Sequence, residues 1–215
     1  MAERTGPGRN GWAPLTREFF TGDARTVAPA LLNKLLVRGD VAGRIVEVEA
    51  YCGAQDPASH AYRGPTRRNA TMFGPPGHLY VYFSYGVHWC ANAVCGWDGI
   101  AHAVLFRALA PVTGIEQMWA RRSGARRAQD LCSGPGKLCQ ALDVGREHDG
   151  TDLVTGEGGV IVATDGRRPP ARPGRGPRVG ISVGTAHRWR WWVAGDDNVS
   201  RAGRSTPRVV TDRAP

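Results

Sequence analysis

Two strand-like runs that flank a tight turn are the feature of this chain that most constrains its fold. Residues 79–83 and 88–95 are rich in apolar and aromatic side chains, and Tyr85-Gly86 lies between them. Because so few residues connect the two runs, they can pair only with each other in antiparallel orientation, as a β-hairpin.

A second pattern places acidic residues on a strand. Residues 45–51 alternate branched apolar with acidic side chains, which is typical of a strand. A period of two puts Glu47, Glu49 and Tyr51 on one face, and Ile45 would share it.

Other segments predict a mixture of strands and helices. We expect strands at 103–109, 160–163, 179–183 and 189–193, and helices at 26–36 with Asp23 as N-cap, at 114–122 and within 131–142. Residues 67–78 and 167–177, rich in Gly, Pro and Arg, predict loops. The fold class is therefore α+β, a single mixed domain around a curved, largely antiparallel sheet.

Length and composition predict one folded domain. The chain has 215 residues and is 41% hydrophobic, which is enough to bury a sizeable core. We expect a mobile tail at 1–14, a domain at 15–200 and a disordered tail at 201–215, since pattern is lost at both ends.

The charge balance favours a polyanionic partner. The net charge is +9 and the isoelectric point is about 9.9. Basic side chains that neutralise phosphates release counterions, so this balance indicates nucleic acid. A GC-rich genome explains the same composition without any partner, because all but two of the 28 basic residues are arginine.

Cysteine spacing and hydropathy exclude several classes of protein. The five cysteines contain no Cys-x-x-Cys pair, so they predict neither a zinc nor an iron–sulfur site but free thiols in a reducing cytosol. The chain has no run of about 18 apolar residues and no signal-peptide core, so we expect no membrane association and a cytoplasmic location.

The residues between 45 and 85 suggest a site for a flat ring. Glu49, several tyrosines and a basic run occur close together, which suits an enzyme that holds a nucleobase and attacks the adjacent bond. Each residue also has an ordinary alternative: a solvated strand carboxylate for Glu49, core packing for Tyr51 and Tyr82, a structural histidine for His60, and an exposed turn residue for Tyr85.

Several ordered motifs resemble a known family. They are Val46-Glu47-Val48-Glu49-Ala50-Tyr51, Met72-Phe73, Gly77-His78-Leu79-Tyr80-Val81-Tyr82, Tyr85-Gly86, Asn92, residues 105–109, residues 131–142 and, more weakly, Arg178-Val179-Gly180 with 189–193. Over roughly residues 15–200 the chain resembles a bacterial member of the alkyladenine, or 3-methyladenine, DNA glycosylase family of base-excision enzymes.

The resemblance implies a role for individual residues. The family fold is a single mixed domain whose protruding β-hairpin enters the DNA minor groove, and Tyr85 matches the residue that fills the gap left by the flipped nucleotide. Tyr51, His60 and Tyr82 match the residues that stack on the flipped base. Glu49 matches the general base, and Arg107 and Asn92 match residues of the same pocket.

The chemistry of these residue types agrees with that assignment. Cleavage of an N-glycosidic bond builds positive charge on the sugar, which a carboxylate stabilises while it activates water. No lysine is available in the matched pocket to form a Schiff base, so we expect a monofunctional enzyme that leaves an abasic site. The expected substrates are 3-methyladenine, 7-methylguanine, hypoxanthine and ethenoadenine, with no metal and no cofactor.

The expected partner is double-stranded DNA with a damaged purine, met by a monomer in the nucleoid. Arg63, Arg67, Arg68 and Lys137 are the candidates for phosphate contacts. Ser133-Gly134-Pro135-Gly136-Lys137 lacks the spacing of a P-loop.

Two other functions stay open at this point. Glu47, Glu49, Asp56 and His60 could hold a metal ion in a nuclease, because hard carboxylate ligands suit that chemistry. A non-catalytic module that only recognises distorted DNA is the other alternative.

Overall fold

A computed structural model describes residues 11–200 of the chain. The strands are β1 (Ala13–Pro14), β2 (Leu35–Arg38), β3 (Val41–Cys52), β4 (Leu79–Ser84), β5 (His88–Cys95), β6 (His102–Thr113), β7 (Val160–Thr164), β8 (Gly174–Gly176) and β9 (Arg190–Trp192). The helices are α1 (Ala24–Leu31), α2 (Ile115–Arg121) and α3 (Pro135–Leu142), with 3-10 turns at Arg17–Phe20, Gly53–Gln55, Ala70–Phe73, Ala128–Asp130 and Arg146–His148.

The strands form one antiparallel sheet around which the helices pack. Its main order is β1-β7-β2-β3-β6-β5-β4, and β9, which carries β8, pairs with the second half of β3 beyond the end of β2. The sheet curls into a half-barrel, which confirms the predicted α+β class. The main core lies between the sheet and the helices α1, α2 and α3, with Phe20, Leu31, Phe106 and Leu138 among its buried residues.

The long strand β3 carries two irregularities that redirect its side chains. Its pairing with β6 shifts register between Ile45 and Glu47 and again between Glu47 and Val48. Ile45 therefore packs in the main core with Val48, while Glu47 and Glu49 reach toward β6. The prediction that Ile45 shares the face of the glutamates is wrong, because a bulge breaks the period of two.

Strands β4 and β5 pair from Leu79↔Ala93 to Ser84↔His88, and residues 85–87 connect them. Tyr85 and Gly86 have positive φ angles of 49° and 68°. Tyr85 is 84% exposed at this tip.

The predicted helix at 26–36 is too long. Asp23 does cap α1, where its side chain accepts a hydrogen bond from the Arg25 amide at 2.8 Å. The helix ends at Leu31, because Asn33 takes a left-handed φ of 67° and turns the chain into β2.

Two predictions near the C-terminal end are also wrong. Residues 179–183 form a loop and not a strand, whereas Gly174–Gly176, in a predicted loop, is strand β8. In the predicted N-terminal tail, Ala13 and Pro14 pair with β7. Residues 1–10 and 201–215 lie outside the described part of the chain, so the mobility predicted for the tails stays a prediction. No helix within residues 11–200 is long and apolar enough to cross a membrane.

Candidate active site

A cavity of about 620 Å³ opens between the strands β3 to β6 and two loops. One loop contains residues 57–60 and the other contains residues 179–183. The cavity lining includes Tyr51, His60, Arg68, Tyr82, Tyr85, Asn92 and Arg107. The structure thus brings together most of the residues that the sequence singled out, although they are spread over nearly sixty positions of the chain.

The carboxylate of Glu49 lies fully buried beside the cavity. The Tyr51 hydroxyl donates to Oε2 at 2.9 Å, and the Val179 amide donates to Oε1 at 2.8 Å. Nη1 of Arg107 lies 3.3 Å from the same Oε1. Three groups that line the cavity therefore orient this carboxylate.

Burial and its partners act on the proton affinity of Glu49 in opposite directions. Desolvation raises the pKa of Glu49, and the positive Arg107, the Val179 amide and the Tyr51 hydroxyl limit the rise. The carboxylate thus lies in a poorly solvated place, where its raised pKa makes the ionised form a stronger base than it is in water.

The second glutamate of the strand is buried rather than solvated. Glu47 accepts hydrogen bonds from Nε of Arg107 at 3.2 Å, from Nη1 of Arg190 at 3.1 Å and from the amide and hydroxyl of Ser200 at 2.8 and 3.0 Å. Glu47 is therefore a buried carboxylate with four hydrogen bonds from the protein. It fixes one edge of the Arg107 guanidinium, whose other nitrogen faces Glu49.

Aromatic rings form a wall of the cavity. The His60 and Tyr82 rings meet edge to face, with centroids 4.4 Å apart, and Nδ1 of His60 lies 3.0 Å from the Tyr80 hydroxyl. Desolvation and the positive Arg68 lower the pKa of His60, so its ring is neutral at neutral pH. Tyr51, on β3, also lines the cavity.

Asn92 is buried on β5 between its neighbours in the sheet. Its Nδ2 donates to the Tyr80 carbonyl at 3.1 Å, and its backbone pairs with Tyr80 on one side and Leu105 on the other. The side chain is held in one orientation at the cavity lining as a result.

The mouth of the cavity carries Tyr85 and Arg68. The Tyr85 hydroxyl donates to the Gly180 carbonyl at 3.1 Å, which connects the tip of the hairpin to the opposite loop. Nη2 of Arg68 donates to the Phe83 carbonyl at 2.9 Å, and its guanidinium lies 5.9 Å from the centre of the Tyr82 ring.

The other predicted phosphate contacts lie outside the cavity lining. Arg63 and Arg67 are exposed in the loop after His60. Lys137 stands in the first turn of α3, where Nζ lies 3.3 Å from the Ser133 hydroxyl. Of the four predicted residues, the structure brings only Arg68 to the cavity itself.

The structure adds contacts at the site that the sequence did not indicate. Val179 bonds Glu49, and residues 180–183 line the cavity next to it. Arg178 and Asp56 form a fully buried ion pair just before the two loops. The Arg178-Val179-Gly180 motif was visible as a weak match, but nothing in it indicated that this segment folds back onto Glu49.

The residues of the metal-nuclease alternative are occupied by protein partners. Glu47 is bonded to Arg107, Arg190 and Ser200, and Asp56 is bonded to Arg178 through both oxygens. Within residues 11–200, the one group of three potential metal ligands is Asp23, Cys52 and His102, where Arg25 already occupies both oxygens of Asp23. The described residues do not assemble the carboxylate cluster that this alternative requires.

A cavity with aromatic walls beside a buried carboxylate, in a basic protein, has the shape and charge that suit a flat base. Residues 18–197 match the family described as methylpurine-DNA glycosylase (MPG). The chain is 57% identical to a protein of Burkholderia lata over 87% of its length and 91% of that protein. It is 49% identical to a protein of Streptomyces avermitilis, over 91% and 94% of the two chains. Both relatives carry the name "Putative 3-methyladenine DNA glycosylase". The chain belongs to the methylpurine-DNA glycosylase family.

Proposed function

We propose that this protein is a base-excision repair glycosylase that removes alkylated or deaminated purines from duplex DNA. Glu49 is the general base that activates a water molecule, and the product is an abasic site. The observation that carries the proposal is the buried Glu49 carboxylate, held at 2.8 to 3.3 Å by Val179, Tyr51 and Arg107 beside a cavity with aromatic walls.

The electrostatics of the cavity suit the departure of a base. Positive charge develops on the sugar as the N-glycosidic bond breaks, and the Glu49 anion in a poorly solvated site stabilises that charge strongly. The same carboxylate takes a proton from the attacking water. Arg107, 3.3 Å from Glu49, favours its ionised form, and we assign to Arg107 the role of orienting the water.

The cavity accepts the base only after the nucleotide has left the helix. Unstacking takes a few kcal/mol, and stacking on aromatic side chains returns about 1–3 kcal/mol per base. Tyr51, Tyr82 and His60 provide these surfaces, and Tyr85 at the exposed hairpin tip fills the gap in the duplex.

The range of substrates follows from how easily each base leaves. N3- and N7-alkylated purines, such as 3-methyladenine and 7-methylguanine, carry a positive charge and depart readily. Hypoxanthine and ethenoadenine are neutral and need a hydrogen bond or a proton. Asn92, fixed by its bond to Tyr80, disfavours every purine with an exocyclic amine at C2. Undamaged guanine is therefore rejected, whereas the positive charge of 7-methylguanine offsets this effect because it makes the base leave readily.

The reaction is hydrolytic and needs no Schiff base. Neither of the chain's two lysines, Lys34 and Lys137, lines the cavity. Water is then the nucleophile, and strand cleavage requires a separate step.

The deciding experiment measures base release from duplex oligonucleotides that each contain one lesion. The protein is incubated in EDTA with hypoxanthine, ethenoadenine or 7-methylguanine duplexes, and the DNA is then treated with hot alkali. We expect strand breaks only after alkali, and none with Glu49→Gln, which keeps its affinity for lesion DNA.

The other outcomes separate the alternatives. Breaks without alkali would indicate a lyase. Breaks that form in a parallel incubation without EDTA, but not in its presence, would indicate a metal-dependent nuclease. Binding of lesion DNA without release of any base would indicate a recognition module. Excision by Glu49→Gln at the wild-type rate would contradict the assignment of Glu49 as the general base.

A further inference from the structure

A buried ion pair joins the roots of the two loops that face each other across the cavity. Asp56 comes immediately before residues 57–60, and Arg178 comes immediately before residues 179–183. Nη2 of Arg178 donates to Oδ1 of Asp56 at 2.8 Å, Nη1 contacts Oδ2, and neither side chain is exposed to solvent.

Both members of the ion pair also bind the backbone of β3, the strand that carries the proposed general base Glu49. Nη1 of Arg178 donates to the Ala50 carbonyl at 3.0 Å. Asp56 accepts from the Cys52 amide at 3.3 Å and from the Ala58 amide at 3.1 Å. The pair therefore connects both loops to the end of β3, on either side of Tyr51.

The guanidinium of Arg178 also supports the Tyr51 ring. Its central carbon lies 4.6 Å from the centre of the Tyr51 ring and 5.1 Å from that of Trp189. Tyr51 lines the cavity and Arg178 does not, so the guanidinium contacts the ring without being part of the cavity lining.

Stability alone does not explain this arrangement. A buried ion pair is often no more stabilising than apolar side chains of the same size. Nε of Arg178 is buried and has no hydrogen-bond partner within residues 11–200, which is unfavourable. The burial of two charges and of an unbonded nitrogen is best explained by the segments that the pair holds in place.

We propose that the Asp56–Arg178 ion pair is the positioning element of the active site, which aims the Val179 amide at Glu49 and holds Tyr51 against the base. It acts through Val179 and Tyr51 and does not touch the substrate. This inference rests on the proposed function, because it assigns how that site keeps its geometry.

The pH dependence of excision distinguishes positioning from general stability. When the Val179 amide no longer reaches Glu49, the ionised carboxylate loses a donor, and the acidic limb of the rate profile moves to higher pH. We expect a shift of about one unit, because a carboxylate that accepts two or three backbone N–H bonds can titrate about two units lower than usual. The other groups that face Glu49 are Arg107, Tyr51, Glu47, Arg178, Tyr82 and Cys90. A variant that keeps the positive charge of Arg178 changes the charge of none of them.

The first variant is therefore Arg178→Lys, with Arg44→Lys as the matched control. A lysine keeps the charge but cannot bridge both Asp56 oxygens and the Ala50 carbonyl. Arg44 makes a similar bidentate pair with Asp165 at the other end of β3. We expect single-turnover excision to fall about 10- to 100-fold with the acidic limb shifted for Arg178→Lys, because small misplacements have effects of this size. The control should match the wild type.

The double variant Asp56→Leu/Arg178→Met keeps the test valid if the lysine variant does not fold. Apolar residues of similar size replace a buried pair without loss of stability in many proteins. We expect this variant to fold, to excise slowly and to show the same shift of the acidic limb. If either folded variant excised at the wild-type rate with an unchanged profile, the pair would be only structural and the proposal would be overturned.

A measurement without DNA separates this inference from the proposed function. In the wild type, the NMR shift of the Val179 amide proton should follow the titration of Glu49, and in the folded variants it should not. If the wild type released no base, the proposed function would fail even with this titration intact. If the Val179 signal followed Glu49 equally in the variants, the positioning role would fail whatever the wild type excises.

Discussion

The two glutamates of β3 are two residues apart, and yet the charge of Glu47 should stabilise the folded protein whereas the charge of Glu49 should destabilise it. Glu47 is paired with Arg107 and Arg190, accepts a hydrogen bond from Ser200 and does not line the cavity. Glu49 is held beside the cavity at a site where desolvation raises its pKa. The first glutamate therefore serves the fold, and the second serves the proposed chemistry.

We expect Glu47→Gln to destabilise the protein and Glu49→Gln to stabilise it at pH 7. Loss of the Glu47 charge leaves Arg107 and Arg190 without their counter-ion, which costs about 3 kcal/mol. A glutamate whose folded-state pKa is raised favours folding when protonated, and that contribution is lost as the pH rises through the folded pKa. The neutral amide at position 49 removes this penalty. Urea unfolding curves of both variants check the prediction, and equal losses in the two would contradict it.

The rate of excision should fall at acid pH because Glu49, the proposed general base, becomes protonated. The pKa of Glu49 is raised above its ordinary value of 4.5 by burial, so we expect the acidic limb above that value. Arg107 favours the ionised form, and Arg107→Gln should therefore move the limb to still higher pH. Single-turnover rates between pH 4 and 8 measure this. A limb at or below 4.5 in the wild type would rule out Glu49 as the titrating group.

At this scale the sequence indicated many of the residues around the cavity but few of their contacts. Glu49, Tyr51, His60, Tyr82, Asn92 and Arg107 do meet around one cavity, although their roles stay predictions. Asp56 and Arg178 were missed as a pair because they are 122 positions apart and charged residues are rarely fully buried. Only the fold brings such residues together.

At the scale of elements, the hairpin combines a strained tip with an exposed aromatic ring. Tyr85 takes a positive φ of 49°, a conformation that asparagine tolerates better than tyrosine does. A residue in this conformation at a tip suggests that the side chain, and not the turn, determines the choice of tyrosine.

We expect Tyr85→Asn to keep the hairpin and lose much of the excision activity. Asparagine fits the turn, so the urea midpoint should not fall, but its side chain is too small to fill the gap in the duplex. Trp97, 72% exposed in the loop between β5 and β6, provides the control Trp97→Asn. Single-turnover excision should fall about 10-fold or more for Tyr85→Asn only. Equal rates in both variants would contradict the proposal that Tyr85 fills the gap left by the flipped nucleotide.

The boundaries of elements were less predictable than their existence. The helix predicted to continue to residue 36 ends at Leu31 because Asn33 turns left-handed, a signal that the apolar spacing of residues 26–36 concealed. The strand predicted at 179–183 is a loop held to β3 by Arg178 and Val179. Its branched residues, Val179, Ile181 and Val183, line a cavity instead of pairing in a sheet. Local propensity cannot distinguish these two uses.

At the scale of the whole molecule, the charge of +9 should make binding depend steeply on salt. If Arg63, Arg67, Arg68 and Lys137 each contact one phosphate, affinity for undamaged duplex should fall about 100-fold between 50 and 200 mM salt. Arg67→Ala should reduce the slope of log K against log salt by about 0.9.

The control for this experiment lies away from the cavity. The Arg167 carbonyl accepts a hydrogen bond from Lys34 near the start of β2, and Arg167→Ala should leave the slope unchanged. Fluorescence anisotropy with an unmodified duplex measures both slopes. Equal slopes for the two variants would show that the basic charge acts diffusely and not through these contacts.

The five buried cysteines have a consequence for an enzyme of alkylation repair. The reagents that methylate purines also attack sulfur, and they react with the thiolate far faster than with the thiol. Burial raises the pKa of Cys52 and of Cys132 to about 12, and it raises the pKa of Cys90, Cys95 and Cys139 as well. Burial therefore favours the protonated thiol at all five positions and disfavours alkylation of the protein, and Cys90 is the one of the five that lines the cavity.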